Sequence, residues 1–330
     1  MKNARTLRLA VAGLAVAAAL PAAAAPYDVV FGKNKDWLFT GYEYGKPGDA
    51  ANVQTTISNL IEAAKLFKQN GTALAIVLVP SKIRIYQDQL PANRPLDAYN
   101  RDLYDKAVAQ LRAGGVNVVD LNTPFLAQKD RYGTNQLFYR LDTHWAPKGA
   151  MLAAETIKST IDGTPALKAA WVATQPVKYD LNWAARPRPT RSRDLVNYLP
   201  PGTATFPPEE ALTFRVNRAQ PSKAGLTGSG DPVEVTAIGS SFTNPNSGYP
   251  DAIRYVLQRD VLDLSLPVDQ GPWSGMVKYL GSEFKTNKPK LVIWEIPERE
   301  LRSPPAASWR EARYQIDNAK WLADMRSLLK

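Results

Sequence analysis

The sequence predicts a doubly wound α/β fold, with a mostly parallel sheet between two layers of helices. Strand-like apolar runs alternate with amphipathic stretches of helical spacing through most of the chain. The run Ala73-Leu74-Ala75-Ile76-Val77-Leu78-Val79 is apolar throughout and stops at Pro80, as a strand covered on both faces does. Glycines at 71 and 114–115 close the helical stretches that flank such runs.

The first 25 residues stand apart from that pattern. Lys2, Arg5 and Arg8 precede an apolar run over 9–20, then Pro21 and a row of alanines. This is the pattern of a secretory signal peptide, with cleavage of the A-x-A type expected near Ala24 or Ala25. The run is short for a membrane span. Residues 26–330 are therefore expected to form a single soluble domain, exported to a bacterial periplasm.

Val29-Val30-Phe31, a polar turn and Trp37-Leu38-Phe39 predict a hairpin at the domain edge. Asp49 is placed to cap a helix in which Val53, Ile57, Leu60, Ile61, Ala64 and Phe67 recur at helical spacing. After the strand at 73–79 come a helix over 96–113 and a strand over 116–121. Pro147 suits the first turn of a helix reaching about residue 161, because its missing N–H is an orphan there anyway. Strands follow over 233–238, 261–264 and 291–296, with a helix over 273–284; Trp294, inside an apolar strand, reads as core. Residues 163–230 interrupt the rhythm. They are rich in proline, hold the run Arg186-Pro187-Arg188-Pro189-Thr190-Arg191-Ser192-Arg193, and read as an insertion with little regular structure. That run is either a solvated loop or a cationic arm for an anionic polymer. A closing helix is expected over about 307–330, with Trp309, Tyr314 and Trp321 as packing residues.

Composition removes several kinds of chemistry. The chain has 330 residues, 45% of them apolar, enough for a well-buried core. It contains no cysteine, which excludes disulfides, thiolate catalysis and a cysteine-linked lipid anchor. One histidine argues against a transition-metal site, and no metal or cofactor is expected. The net charge of +10 falls to +7 without the three cations of the signal peptide. A basic exported protein suits an acidic partner such as a polysaccharide, a membrane surface or the cell wall, and not nucleic acid.

The single histidine, His144, lies in Asp142-Thr143-His144-Trp145 on a loop before the helix at Pro147. It is either a structural histidine or the one side chain suited to move protons near neutral pH. A second signal favours the latter: the strand ending at Ile238 runs into Gly239-Ser240-Ser241-Phe242. In doubly wound sheets ligands bind beyond the carboxyl ends of strands, where Ser241 falls. A serine hydroxyl needs a neutral imidazole to take its proton, and a carboxylate to orient that imidazole. Gly239-Ser240-Ser241-Phe242-Thr243 lacks the second glycine of the G-x-S-x-G elbow. The close Asp/His spacing instead resembles that of SGNH-type esterases, whose Gly-x-Ser pattern selects Ser241 over Ser240 as nucleophile. The Ser241 amide can also donate to an oxyanion.

A larger set of motifs carries a family resemblance. Gly32-Lys33-Asn34-Lys35-Asp36-Trp37-Leu38-Phe39, Val79-Pro80-Ser81-Lys82-Ile83-Arg84-Ile85-Tyr86 with Leu90-Pro91, Asp142-Thr143-His144-Trp145, Gly239-Ser240-Ser241 and Trp294-Glu295-Ile296-Pro297-Glu298-Arg299 stand in one order over residues 30–300. In that order they resemble the alginate O-acetyltransferase AlgX/AlgJ family. The resemblance implies an SGNH-like domain in circularly permuted order, with the Asp/His pair ahead of the serine. It further implies Ser241 as nucleophile, His144 as general base and acid, and Asp142 as its orienting carboxylate. The reaction implied is transfer of an acetyl group, through an acetyl-serine, to hydroxyls of an exported polysaccharide. Its implied partners are a membrane-bound O-acyltransferase as acetyl donor and other exopolysaccharide secretion proteins. Lys82, Trp145, Ser240 and Arg299 are candidate substrate contacts; a solvated charge or a structural ion pair is the readier account of Lys82 and Arg299, and packing that fixes the His144 loop accounts for Trp145 equally. The stretch Thr243-Asn244-Pro245-Asn246, then Gly248-Tyr249-Pro250, departs from the family pattern, as does a chain end soon after the catalytic domain. Two rivals remain at this point: an acetylesterase using the same residues, and a non-catalytic polysaccharide-binding scaffold.

Overall fold

The computed structural model describes residues 28–203, 205–220, 233–266, 270–307 and 311–330. The expected signal peptide and Trp309 lie outside these residues. Among the described residues eleven strands run in chain order: β1 (Val29–Phe31), β2 (Leu38–Thr40), β3 (Ala73–Val79), β4 (Val118–Asp120), β5 (Tyr179–Trp183), β6 (Arg188–Pro189), β7 (Glu210–Ala211), β8 (Phe214–Arg218), β9 (Val235–Gly239), β10 (Leu262–Ser265) and β11 (Leu291–Pro297). The α-helices among the described residues are α1 (Ala50–Asn70), α2 (Lys82–Ile85), α3 (Ala98–Ala113), α4 (Asn122–Ala127), α5 (Pro147–Gly163), α6 (Pro165–Val172), α7 (Tyr249–Leu257), α8 (Gly271–Gly281), α9 (Glu283–Asn287) and α10 (Asn318–Leu328).

Five strands form one parallel sheet in the order β10-β9-β11-β3-β4. Counted from β9, this is the doubly wound order 2-1-3-4-5 with its chain start moved: β3 and β4, last in the sheet, come first in sequence. That is the circular permutation, visible as topology. The switch point falls between β9 and β11, which both pair outward from it in opposite directions.

Side-chain alternation along β3 divides the core in two. Leu74, Ile76 and Leu78 face α1, α3, α8 and α10, against Ile57, Leu60, Leu103, Met276 and Trp321. Ala75, Val77 and Val79 face α5, α6 and α7, against Ala150, Ile157, Leu167 and Ile253. Along β11, Val292, Trp294 and Ile296 join the first layer and Leu291 and Ile293 the second. Glu295 projects to the second side, fully buried.

Three expectations are corrected. Asp49 does not cap α1; its carboxylate accepts the Lys46 amide at 2.8 Å instead, within the preceding 3-10 turn. The closing helix is shorter than expected because Asp317, whose carboxylate accepts the amides of Ala319 and Lys320, starts it late. Trp321 is buried and its Nε1 donates to the Trp273 carbonyl at 3.0 Å, while Tyr314 is only partly covered. The stretch between α5 and β9 is also more regular than its prolines suggest. It holds α6, and β5 pairs antiparallel with β8 and β6 with β7. Tyr179, Leu181 and Trp183 alternate with Asp180 and Asn182, a period-2 signal that the prolines around it obscure.

Candidate functional site

The nucleophile turn begins where β9 ends. Ser240 takes the N-cap position of the 3-10 turn Ser241–Thr243, its Oγ accepting the Phe242 amide at 3.2 Å. Ser241 is the first residue of that turn, so its N–H is one the turn's own hydrogen bonds do not use.

His144 arrives on a tight loop. The Ala146 amide donates to the Leu137 carbonyl at 2.8 Å and the Tyr139 amide to the His144 carbonyl at 3.1 Å, closing the loop around residues 139–144. Within it Asp142 turns back on its own chain. Its Oδ1 accepts the His144 amide at 3.0 Å and lies 2.7 Å from His144 Nδ1. This supplies the bend that a two-residue spacing needs. On the other side of the ring, His144 Nε2 lies 2.7 Å from Ser241 Oγ. The three residues singled out in the sequence thus form one hydrogen-bonded chain across 97 residues of separation. Phe242 packs against the imidazole with ring centroids 5.2 Å apart.

A second carboxylate stands behind the first. Asp194 accepts the Thr143 amide at 2.8 Å and the Thr143 hydroxyl at 2.5 Å, and its own amide donates to Asp142 Oδ2 at 2.9 Å. Burial works against the charged form of Asp142, but the hydrogen bonds and charge of His144 prevail and hold its carboxyl below the ordinary range. Asp194 goes the other way: burial, then the neighbouring charge of Asp142, raises it. Asp142, His144 and Asp194 are also the one cluster of potential metal ligands among the described residues. Their facing oxygens already accept hydrogen bonds from Thr143, His144 and the Asp194 amide.

Two buried groups hold the Asp142 loop, one through its carbonyls and one through its amides. Lys82 Nζ donates to the carbonyls of Leu38 at 2.6 Å, Arg140 at 2.9 Å and Asp142 at 3.0 Å. Glu209 accepts the amides of Arg140 at 2.8 Å and Leu141 at 3.0 Å, and Gln136 Nε2 at 2.7 Å. Burial draws the Lys82 ammonium down to about 8, against the carboxylates of Glu209, Glu43, Asp142 and Asp194. Glu43, lifted by its own burial, accepts the first amides of α2 from Lys82 and Ile83.

Beneath Ser241 lies Glu295. Its Oε2 accepts the Ser240 amide at 2.7 Å, the Ser240 hydroxyl at 2.9 Å and the Thr243 hydroxyl at 3.1 Å. A Cβ at position 239 would come within 2.4 Å of that oxygen, so the glycine is required for close approach rather than for an unusual backbone angle. Burial raises Glu295 from 4.5 to about 7, against Ser240, Arg299 and Thr243. Between those pH values the folded protein holds a proton here that the unfolded chain has lost, so stability falls as pH rises through the window. We predict that Glu295→Gln removes a loss of up to about 3 kcal/mol between pH 4.5 and 7. Urea midpoints of wild type and variant at the two ends of that window measure it; parallel midpoints would show that Glu295 folds ionised.

The secondary candidates fare differently. Trp145 is fully buried between Phe242 and Tyr249, at centroid distances of 5.0 and 4.6 Å, so no ring face is left for a sugar. Lys82 is 1% exposed with its donors committed to carbonyls, which corrects it to a structural clamp. Ser240 gives its hydroxyl to Glu295. Arg299 keeps partial exposure, its guanidinium 5.4 Å from the Tyr42 ring centre and 5.5 Å from that of Phe242. Sequence reading missed Asp194, Glu209 and Glu295 as site-forming residues. Glu295 had a signal, a carboxylate in an otherwise apolar strand. Asp194 had a weaker one, an acid directly after a run of arginines.

A parallel sheet in this permuted order, with a hydrogen-bonded Ser, His and Asp at its carboxyl edge, defines an SGNH hydrolase-like α/β protein. Residues 29–298 match the family described as SGNH hydrolase-like domain, acetyltransferase AlgX, and the chain belongs to that family. A relative named "Probable alginate O-acetylase AlgJ" from Pseudomonas syringae pv. tomato is 31% identical over 289 residues, covering 83% of this chain and 69% of that one. The "Alginate biosynthesis protein AlgX" of Pseudomonas putida is 26% identical over 292 residues, covering 86% of this chain and 59% of its own length. Among solved structures, the O-acetyltransferase domain of Pseudomonas putida AlgJ superposes with a TM-score of 0.74 at 26% identity, covering 91% of this chain and 99% of that one. Pseudomonas aeruginosa AlgX shares the fold, with a TM-score of 0.64 at 18% identity, over 86% of this chain and 69% of that one. No helix among the described residues is long and apolar enough to cross a membrane.

Proposed function

We propose that this protein is a periplasmic O-acetyltransferase that moves an acetyl group through Ser241 onto hydroxyls of an exported, alginate-like polysaccharide. The observation that carries the reading is the pair of 2.7 Å contacts linking Ser241 Oγ, His144 and Asp142 within a chain of the acetyltransferase family. Ser241 Oγ attacks the carbonyl carbon of the donor ester while His144 Nε2 takes its proton. The tetrahedral intermediate expels the donor oxygen, which leaves with the proton from Nε2, and acetyl-Ser241 remains. A sugar hydroxyl then repeats the steps in reverse order of roles, yielding the sugar acetate and free Ser241. Asp142, held ionised, keeps Nδ1 protonated and stabilises the imidazolium that forms twice per cycle. The Ser241 amide donates to the oxyanion, and Arg299 is placed to meet acyl or polymer oxygens beside Phe242. The donor in the cell is a membrane-bound O-acyltransferase, working with other exopolysaccharide secretion proteins.

Hydrolysis competes, because the His144 side chain is 27% exposed and water can reach the acetyl-serine. The test supplies the protein with an activated acetyl ester and mannuronate oligomers and measures sugar acetate against free acetate. Acetylated oligomer as the main product supports the transferase; free acetate alone, whatever the oligomer concentration, makes the protein an esterase. No ester turnover would leave a binding scaffold.

A further inference from the structure

Asp194 is carried to the histidine loop by the proline-rich stretch between α5 and β9, and that stretch is fastened on both sides of it. Asp194 opens the 3-10 turn Asp194–Tyr198, so its own N–H is not used by the turn and donates to Asp142 Oδ2 at 2.9 Å. Just after it the Leu195 amide donates to the Leu141 carbonyl at 3.2 Å, and the Leu195 side chain is buried with those of Leu38 and Leu141. Ahead of it the Thr190 amide donates to the Glu209 carbonyl at 2.9 Å, and Glu209 in turn accepts the Arg140 and Leu141 amides. The acid is thereby set against the loop with little freedom.

Its carboxylate does not bond the imidazole directly. Asp194 Oδ2 lies 3.6 Å from His144 Nδ1, too far for a hydrogen bond. The Thr143 hydroxyl touches both, 2.5 Å from Asp194 Oδ2 and 3.3 Å from Nδ1. A hydroxyl has one proton to give. Given to Asp194, it leaves only lone pairs for Nδ1, so both oxygens facing that nitrogen, Asp142 Oδ1 and Thr143 Oγ1, are acceptors. Nδ1 then keeps its proton, and Nε2 stays bare towards Ser241. A neutral amide at 194 would also accept the Thr143 N–H, without placing a second carboxylate beside Asp142. Burial and the Asp142 charge both oppose an ionised Asp194, so the acid is carried at a cost that holding the loop does not require.

We propose that Asp194 is a second positioning carboxylate of the reaction: through the Thr143 hydroxyl it holds His144 in the tautomer whose Nε2 is free to take the Ser241 proton. No proton passes to Asp194. The Thr143 proton stays on Oγ1 throughout, and when Nε2 is protonated the Thr143 oxygen joins Asp142 in accepting from Nδ1–H. The inference rests on Ser241 and His144 acting as proposed above.

Asp194→Asn tests this, because it keeps the shape and inverts the relay. With its oxygen on the Thr143 amide, its NH2 group faces the hydroxyl and donates to it, which turns the hydroxyl proton towards Nδ1. His144 is the only histidine, so the imidazole nitrogen NMR spectrum of labelled protein reports a single ring. Recorded well above the ordinary histidine range, it should show the wild-type proton on Nδ1 and a share of the Nε2–H form in Asp194→Asn. With a small activated acetyl ester, Asp194→Asn should lower kcat about tenfold and leave KM unchanged. Thr143→Val removes the hydroxyl and keeps the side-chain shape. It should lower kcat severalfold, and Asp194→Asn should add little in that background. Wild-type tautomer and kcat in folded Asp194→Asn would reduce the acid to a loop tether and overturn the proposal. An undiminished Asp194→Asn effect in the Thr143→Val background would overturn it as well. Should Asp194→Asn not fold, Thr143→Val alone decides, since wild-type kcat there leaves the relay no role. Loss of ester turnover in the wild type would instead count against the acetyltransferase reading, while the imidazole spectrum still reads the tautomer.

Discussion

Ser241→Ala is expected to abolish acetyl-enzyme formation, and His144→Ala to reduce it nearly as far. Incubated with an activated acetyl ester, the wild-type protein should gain the mass of one acetyl group on the peptide containing Ser241, and neither variant should. Turnover of the ester should fall by about 10⁴-fold or more in each, because a hydroxyl without its base, or a base without its hydroxyl, loses the whole covalent route. The double variant should be little worse than either single one, since residues that act as a unit are not additive. The geometry gives the reason: with Nε2 2.7 Å from Oγ and Nδ1 2.7 Å from Asp142, removal of either member breaks a single proton path. Asp142→Asn should be less severe. It keeps a side-chain acceptor for the His144 amide, but it loses both the charge opposite Nδ1 and the hold on the Nδ1–H tautomer, so the loss should still be large. An acetyl group found on Ser240 in the wild type would reassign the nucleophile, against the commitment of that hydroxyl to Glu295.

The sheet was legible because its strands are apolar on both faces, so β3, β9 and β11 stand out against the polar helices between them. Asp142, His144 and Ser241 were legible for a different reason: a single imidazole and a strand-to-turn Gly-Ser-Ser leave few places for serine chemistry. What stayed hidden was long-range. Asp194 lies 52 residues from Asp142 and Glu209 lies 68 from Leu141, inside a stretch whose prolines and arginines read as a loop. Beyond the arginines that precede Asp194, nothing local marks either acid, since most of their partners are backbone amides, and an amide leaves no trace in a sequence. Lys82 misled for the same reason. Its acceptors are three carbonyls, so a cation beside the site looked like a substrate contact when its ligand is the chain itself. Trp145 was ambiguous because indoles serve both sugar stacking and core packing; its contacts with Phe242 and Tyr249, from the other half of the chain, decide between them.

Lys82→Met should then be the most damaging substitution away from the reacting atoms. Methionine matches the length and the contact with Trp37 and Phe39, whose ring centres lie 5.5 and 5.2 Å from Nζ, but it donates nothing. The carbonyls of Leu38, Arg140 and Asp142 would be left facing an apolar group, with water held off by side chains that leave Lys82 1% exposed. Glu43 and Glu209 would lose the cation between them, and each is itself buried. Breaking a buried charge set from one side costs about 3–5 kcal/mol, and urea unfolding should show it as a lower midpoint with an unchanged slope. Activity should fall further than the folded fraction does. The Asp142 carbonyl is one of the three acceptors, and a shift of the loop by about 1 Å would lower kcat by about 100-fold through misplacement of the imidazole. KM for a small ester should change little, because Lys82 touches no substrate. Lys82→Arg offers the complementary check: it restores charge but not the single compact head that three converging carbonyls require, so it should recover stability only in part. A Lys82→Met protein with wild-type midpoint and kcat would show that the loop is held by Glu209 and the β1–β2 hairpin alone.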